Sequence, residues 1–133
     1  MKKVLLIILG VIVLGIVILF IVRFLTPEDN WIKDSRGVWV MHGNPKNTPA
    51  EVTEQQRLIH LGNQKFNEAQ SSYGTMSNGP CLGEVAPDWV VDVVNSPRQS
   101  VDNLPQNQCP DYISGKDHHF IELDTKGNIV KVQ

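Results

Sequence analysis

The sequence predicts a small α+β domain behind one N-terminal transmembrane helix, with an antiparallel sheet of about four strands packed against one long helix. Three observations carry this reading. Residues 4 to 22 contain no charge, a capped amphipathic pattern begins at Thr48, and short β-rich segments bounded by Gly, Asn and Pro lie on either side of that pattern. The chain has 133 residues, of which 108 follow position 25. That length supports one modest core and is too short for two ordinary domains, so a multidomain enzyme is excluded.

The first element is the run from Val4 to Val22, 19 apolar residues. A helix of about 20 such residues crosses a hydrocarbon core of roughly 30 Å. A cleavable signal would carry a shorter apolar region and small residues at its cleavage site. Here Arg23, Phe24, Leu25, Thr26 and Pro27 follow instead, so residues 1–25 read as an uncleaved signal anchor in the lipid bilayer. Lys2, Lys3 and the amino terminus flank one end, whereas Arg23 at the other is soon opposed by Glu28 and Asp29. The positive-inside rule then places the N-terminus in the cytoplasm and the C-terminal domain outside it, in a single-pass protein of the cell membrane.

After position 25 there are nine basic and fourteen acidic residues, a net charge of −5. Such a surface repels phosphate backbones, and no basic stripe interleaved with aromatics accompanies it, so nucleic acid is not an expected partner. The two cysteines, Cys81 and Cys109, lie in this exported part, where an even count points to a disulfide. Neither cysteine belongs to a C-x-x-C pair, and no N-x-S/T acceptor is present, which makes a prokaryotic envelope the simplest location.

Residues 26–47 read as a juxtamembrane segment and a first strand, and residues 48–133, together with the 36–42 strand, as the exported domain. Thr26-Pro27-Glu28-Asp29 has the pattern of a capped helical turn. Val38 to Met41 reads as a strand entered through Asp34-Ser35-Arg36-Gly37. Thr48-Pro49-Ala50-Glu51 combines an N-cap threonine, a first-turn proline and a capping-box glutamate. It predicts a helix from Pro49 to about Ser71, with an apolar stripe of Val52, Ile59, Phe66, Ala69 and Tyr73. His60 lies beside the stripe as a solvated side chain.

Residues 72–87 read as loop, Asp88 to Val94 as a central strand interrupted by Asp92, and Pro97 to Asp117 as a second long loop. The segments 119–123 and 128–132 flank the turn Asp124-Thr125-Lys126-Gly127 and predict a terminal hairpin. The disulfide would then join the two long loops.

The blocks Trp39-Val40-Met41-His42-Gly43-Asn44-Pro45, Cys81-Leu82-Gly83, Asn107-Gln108-Cys109 and His119-Phe120-Ile121-Glu122-Leu123-Asp124 resemble those of small, single-span, membrane-anchored microbial proteins with no assigned activity. Phe120 to Val132 is similar to the closing hairpin of PepSY-type domains, secreted helix-and-sheet modules associated with peptidase control. That resemblance implies a binding module.

The polar residues that could form a binding or metal site are His42, Asp92, Arg98, His118, His119 and Glu122. Adjacent strand residues face opposite ways, so His118 and His119 reach one site only if His118 precedes the strand. Asp92, within an apolar strand, needs a partner such as Arg98 or else an exposed face. The chain lacks H-E-x-x-H, G-x-S-x-G, a phosphate-cradling glycine loop and an EF-hand pattern, and no cofactor is implied. The loop from Pro97 to Asp117, with Arg98, Asp102, Asn103, Asn107 and Tyr112, suits recognition of an envelope protein, a peptide or a glycan, although a crossover pinned by the disulfide would account for its length equally well. The expected function is a non-catalytic binding or envelope-associated module. The alternative is a small metal-assisted hydrolase using His42, Asp92 and His118 or His119.

Overall fold

The computed structural model describes residues 2–25 and 29–133. The chain divides into two units, one containing residues 1–30 and Met41–Lys46, the other Trp31–Val40 and Asn47–Gln133. In the first unit, α1 spans Lys2–Leu25 and is long and apolar enough to cross a membrane. The residues from Lys2 to Phe24 are all exposed, so this helix buries no face of its own in protein. Arg23 places a cation at the negative end of the helix. In the anticipated turn at 26–29, Thr26, Pro27 and Glu28 lie outside the described residues, and Asp29 is irregular.

A short hairpin comes next, with β1 at Asn30–Lys33 and β2 at Trp39–His42 paired in a two-stranded sheet. Its turn is built by Asp34, whose carboxylate accepts from the amides of Arg36 at 2.9 Å and Val38 at 3.0 Å. The strand expected at 38–41 is therefore present but belongs to this separate sheet. Its partner β1 had no counterpart in the sequence reading.

The long helix α2 spans Ala50–Tyr73. It starts one residue later than expected and without a side-chain cap: Pro49 takes the N-cap position, and its carbonyl accepts from the amides of Val52 and Thr53. The buried stripe also differs from expectation. It consists of Val52, Gln55, Leu58, Gly62 and Phe66, with Ile59 and Ala69 half-buried beside it. Gln55 can be buried because its amide is satisfied at both ends, donating to Gly37 O at 2.8 Å and accepting from Trp39 N at 2.7 Å. Gly62 lets the helix approach the sheet, since a Cβ there would already contact Val91 and Ile121 at 3.4 and 3.5 Å.

The main sheet contains β3 (Cys81–Ala86), β4 (Trp89–Val94), β5 (His119–Asp124) and β6 (Ile129–Val132), in the order β3-β4-β5-β6. β3 and β4 form an antiparallel hairpin, β4 and β5 run parallel, and β5 and β6 are antiparallel. The sheet is therefore mixed, which corrects the antiparallel expectation. Residues 95–118 form a crossover, and a crossover is what parallel neighbours require. This connection is also more ordered than expected, with 3₁₀ turns at Ser100–Asn103 and Pro105–Asn107 and a short helix, α3, at Pro110–Ile113.

β3 corrects the reading of 72–87 as loop. Its alternation is broken by two register shifts and by Gly83 in the left-handed region at φ 84°, so the segment carries no period-two pattern. Val91 and Val93 of β4 meet Leu58, Phe66, Met76, Ile121, Leu123 and Val132 in the core. By strand alternation, Val90, Asp92 and Val94 turn to the opposite face. These residues are buried too, so β4 is covered on both sides.

The Cys81–Cys109 disulfide is formed, with the two Cα atoms 5.0 Å apart. It ties the first residue of β3, rather than a loop, to the crossover just before α3.

Candidate functional site

Asp92, Arg98 and Glu122, three of the residues singled out in the sequence, converge on the crossover side of the sheet. Asp92 and Glu122 are register partners on β4 and β5. Arg98 does not pair with Asp92 as anticipated. Its Nη1 donates to Glu122 Oε1 at 2.7 Å, and its Nε donates to Asn103 Oδ1 at 3.1 Å. Asp92 is 9% exposed, and its Oδ1 has no hydrogen-bond partner among the described residues. Burial, reinforced by the charge of Glu122 and only partly offset by Arg98, pushes its carboxyl up to about 7.

Close by, Asp102 is fully buried but well satisfied, accepting from Gln99 N at 2.6 Å, Asn95 N at 3.0 Å and Asn95 Nδ2 at 2.8 Å. Burial acts to raise its pKa, but these hydrogen bonds outweigh it and hold the group below the usual carboxylate range. Gly79 lies against the Asp102 carboxylate in the left-handed region at φ 63°, where a Cβ would collide with it. Asp102 therefore staples the loop before β3, the end of β4 and the start of the crossover, a structural role its sequence position did not reveal.

At the other end of β4 and β5, the two adjacent histidines reach one carboxylate. His118 lies just ahead of β5, the condition under which both rings can meet, and its Nδ1 is 2.6 Å from Asp88 Oδ1. His118 N also donates to that oxygen at 2.7 Å, while His119 Nε2 lies 3.6 Å from Asp88 Oδ2. The hydrogen bond from His118 keeps the Asp88 carboxyl below its ordinary range. The sequence places Asp88 at the start of the central strand. It is in fact the turn residue between β3 and β4, at φ 70°, and the Pro87-Asp88 pair was the signal for that turn.

His119 also stacks on Trp89, with ring centroids 4.7 Å apart. This pair forms one side of a groove of about 410 Å³, lined also by Trp39, Leu58, Glu51 and Glu54. Lys33 lies over the Trp39 ring, 5.3 Å from its centroid. The tryptophans and glutamates of this groove were not among the sequence candidates, because residues 39, 51, 54 and 89 come together only through the packing of the hairpin, α2 and the sheet.

His42 is exposed at the end of β2, in the first unit. Among the described residues of the second unit, three potential metal ligands gather at Cys81, Asp92 and Cys109 and at Glu84, Asp111 and Asp117, and neither group contains a histidine. The two sulfurs of the first group are joined in the disulfide. Comparisons with known protein families, with curated proteins and with solved structures return no match.

Proposed function

We propose that this protein is a single-pass, N-terminus-in membrane protein whose extracytoplasmic α+β domain binds a cationic peptide segment of an envelope partner without catalysis. The observation that carries the reading is the groove itself, where the Trp39 ring, which already has the Lys33 ammonium over it, and the Trp89 ring, stacked by His119, lie beside the carboxylate of Glu51 and that of Glu54, the latter held by Arg57. Aromatic faces attract Lys and Arg side chains, and carboxylates complete their recognition. The net charge of −5 after position 25 favours approach of the same kind of partner. The apolar helix and the disulfide support an anchored domain in an oxidising compartment.

The test is a tryptophan-fluorescence titration of the full chain in detergent micelles with short Lys/Arg-rich peptides. Saturable binding that is lost in Trp89→Ala and weakened in Glu51→Gln supports the proposal. Indifference to these peptides, with a response to neutral envelope glycans instead, would refute it.

A further inference from the structure

We propose that Glu84, Asp111 and Asp117 form a binding site for a hard divalent cation, with Ca²⁺ the best fit. One carboxylate oxygen from each residue lies within 4.8 Å of the other two. Metal–oxygen distances of about 2.3 to 2.6 Å can bridge that spread, and oxygen-only ligands select Ca²⁺ or Mg²⁺ over zinc or copper. Glu84 is on β3 and Asp111 on α3, and an oxygen spread of up to 4.8 Å suits the longer Ca²⁺–oxygen bonds better than the roughly 2.0 to 2.1 Å that the strict octahedron of Mg²⁺ demands.

Asp117 distinguishes this cluster from ordinary surface acidity. The residue is only 3% exposed, and its Oδ2 has no hydrogen-bond partner among the described residues. A carboxylate oxygen held away from water without a donor is unfavourable until a proton, a water or a cation meets it, and here two further carboxylates beside it favour the cation. The backbone fixes it there. The amides of Lys116 and Asp117 both donate to Asp111 O at 3.0 Å, and Gly115 N donates to Tyr112 O at 3.1 Å, so the turn from 111 to 117 closes on itself and brings its two acids together.

Lys116 acts as a built-in competitor. Its Nζ donates to Asp111 Oδ2 at 2.8 Å and to Glu84 Oε2 at 3.1 Å, and no ion pair joins it to Asp117 among the described residues. One ammonium thus serves two carboxylates and leaves the buried third unmet. The Lys116 side chain is 58% exposed, so it can swing into solvent when a divalent ion enters. This site is independent of the groove and of the peptide proposed for it.

The experiment is calorimetric titration of the chelator-treated full chain in detergent micelles with CaCl₂ and MgCl₂, together with thermal unfolding. One Ca²⁺ per chain is expected, with a dissociation constant of about 0.1 to 1 mM, weaker Mg²⁺ binding and a melting temperature that rises with Ca²⁺. Removing the competing ammonium in Lys116→Ala should tighten binding about fivefold, the combined equivalent of losing its two exposed ion pairs. Asp117→Asn should abolish binding. Should that variant fail to fold, the exposed Glu84→Gln decides, with an expected loss of about tenfold or more. No heat and no melting shift in either the wild type or Lys116→Ala, at Ca²⁺ concentrations up to about 10 mM, would overturn the proposal. Ca²⁺ binding unchanged by Glu84→Gln, or Mg²⁺ binding tighter than Ca²⁺, would overturn it as well.

Discussion

Arg98 on the crossover and Glu122 on β5 are joined by a 2.7 Å ion pair, which leaves Asp92, the register neighbour of Glu122, buried with an oxygen that has no partner among the described residues. The single guanidinium thus satisfies the outer carboxylate, whose side chain is 13% exposed, and only moderates the inner one. Replacing Arg98 with Gln would leave two adjacent carboxylates without a cation. The expected cost at neutral pH is about 1 to 2 kcal/mol, measured by urea unfolding of the domain from Asp29 onward.

Asp92 should make stability depend on pH. Its folded-state pKa is raised to about 7, against an ordinary value of 3.8. The folded state therefore holds the proton more tightly, and the associated stability is fully present below about pH 4 and lost as pH rises through about 7. Asp92→Asn should unfold at higher urea than the wild type at pH 8, by on the order of 1 to 3 kcal/mol, and the difference should shrink toward pH 4. An equal difference at both pH values would contradict this assignment.

Gln55 links α2 to the hairpin through hydrogen bonds to Gly37 O and Trp39 N. Gln55→Ala leaves both backbone groups without that partner and should cost about 1 to 3 kcal/mol. Amide hydrogen exchange should quicken first at Trp39, well before the central strand β4.

The disulfide holds the crossover to β3. Native protein should resist thiol alkylation until reduced, and Cys81→Ser should lower stability by roughly 2 to 5 kcal/mol. Mass spectrometry of alkylated native protein reads the first outcome directly, and a labelled thiol before reduction would contradict it.

The terminal hairpin is part of the core. Leu123 is fully buried opposite Ile129, and Val132 pairs with Ile121. Leu123→Ala should cost about 2 to 4 kcal/mol. Truncation after Asp124 removes β6, exposes the edge of β5, and should leave an aggregating chain. Substitution at the exposed Lys126 should change stability by less than about 0.5 kcal/mol. A truncated chain with a wild-type melt would contradict this role for β6.

The elements most legible in the sequence were those whose pattern follows from burial alone. β4 must be apolar on both faces because α2 covers one and the crossover the other, and that produced an unmistakable run around Asp92. The terminal hairpin was clear for a similar reason, and the apolar helix because no charge interrupts residues 4 to 22. β3 was hidden because its bulges and Gly83 erase the alternation, and β1 because four residues carry too little pattern. The parallel pairing of β4 and β5 depends on where the crossover returns, which no local segment encodes. Gln55 was missed on the buried stripe because its partners, Gly37 and Trp39, belong to another element. For the same reason the sequence pointed to Asp92, Arg98 and Glu122, which do converge, but not to Asp88 or to the tryptophans of the groove.

The most direct test of the binding account is an NMR titration of the ¹⁵N-labelled protein with a Lys/Arg-rich peptide, following the three indole Nε1–H signals and the backbone amides. The account predicts saturable shifts at the Trp39 and Trp89 indoles and at the amides of Glu51, Glu54 and His119, with the signals around Asp92 and Asp102 on the opposite face of the sheet unmoved. Shifts concentrated on the crossover, or an unperturbed Trp89 indole at saturation, would contradict it.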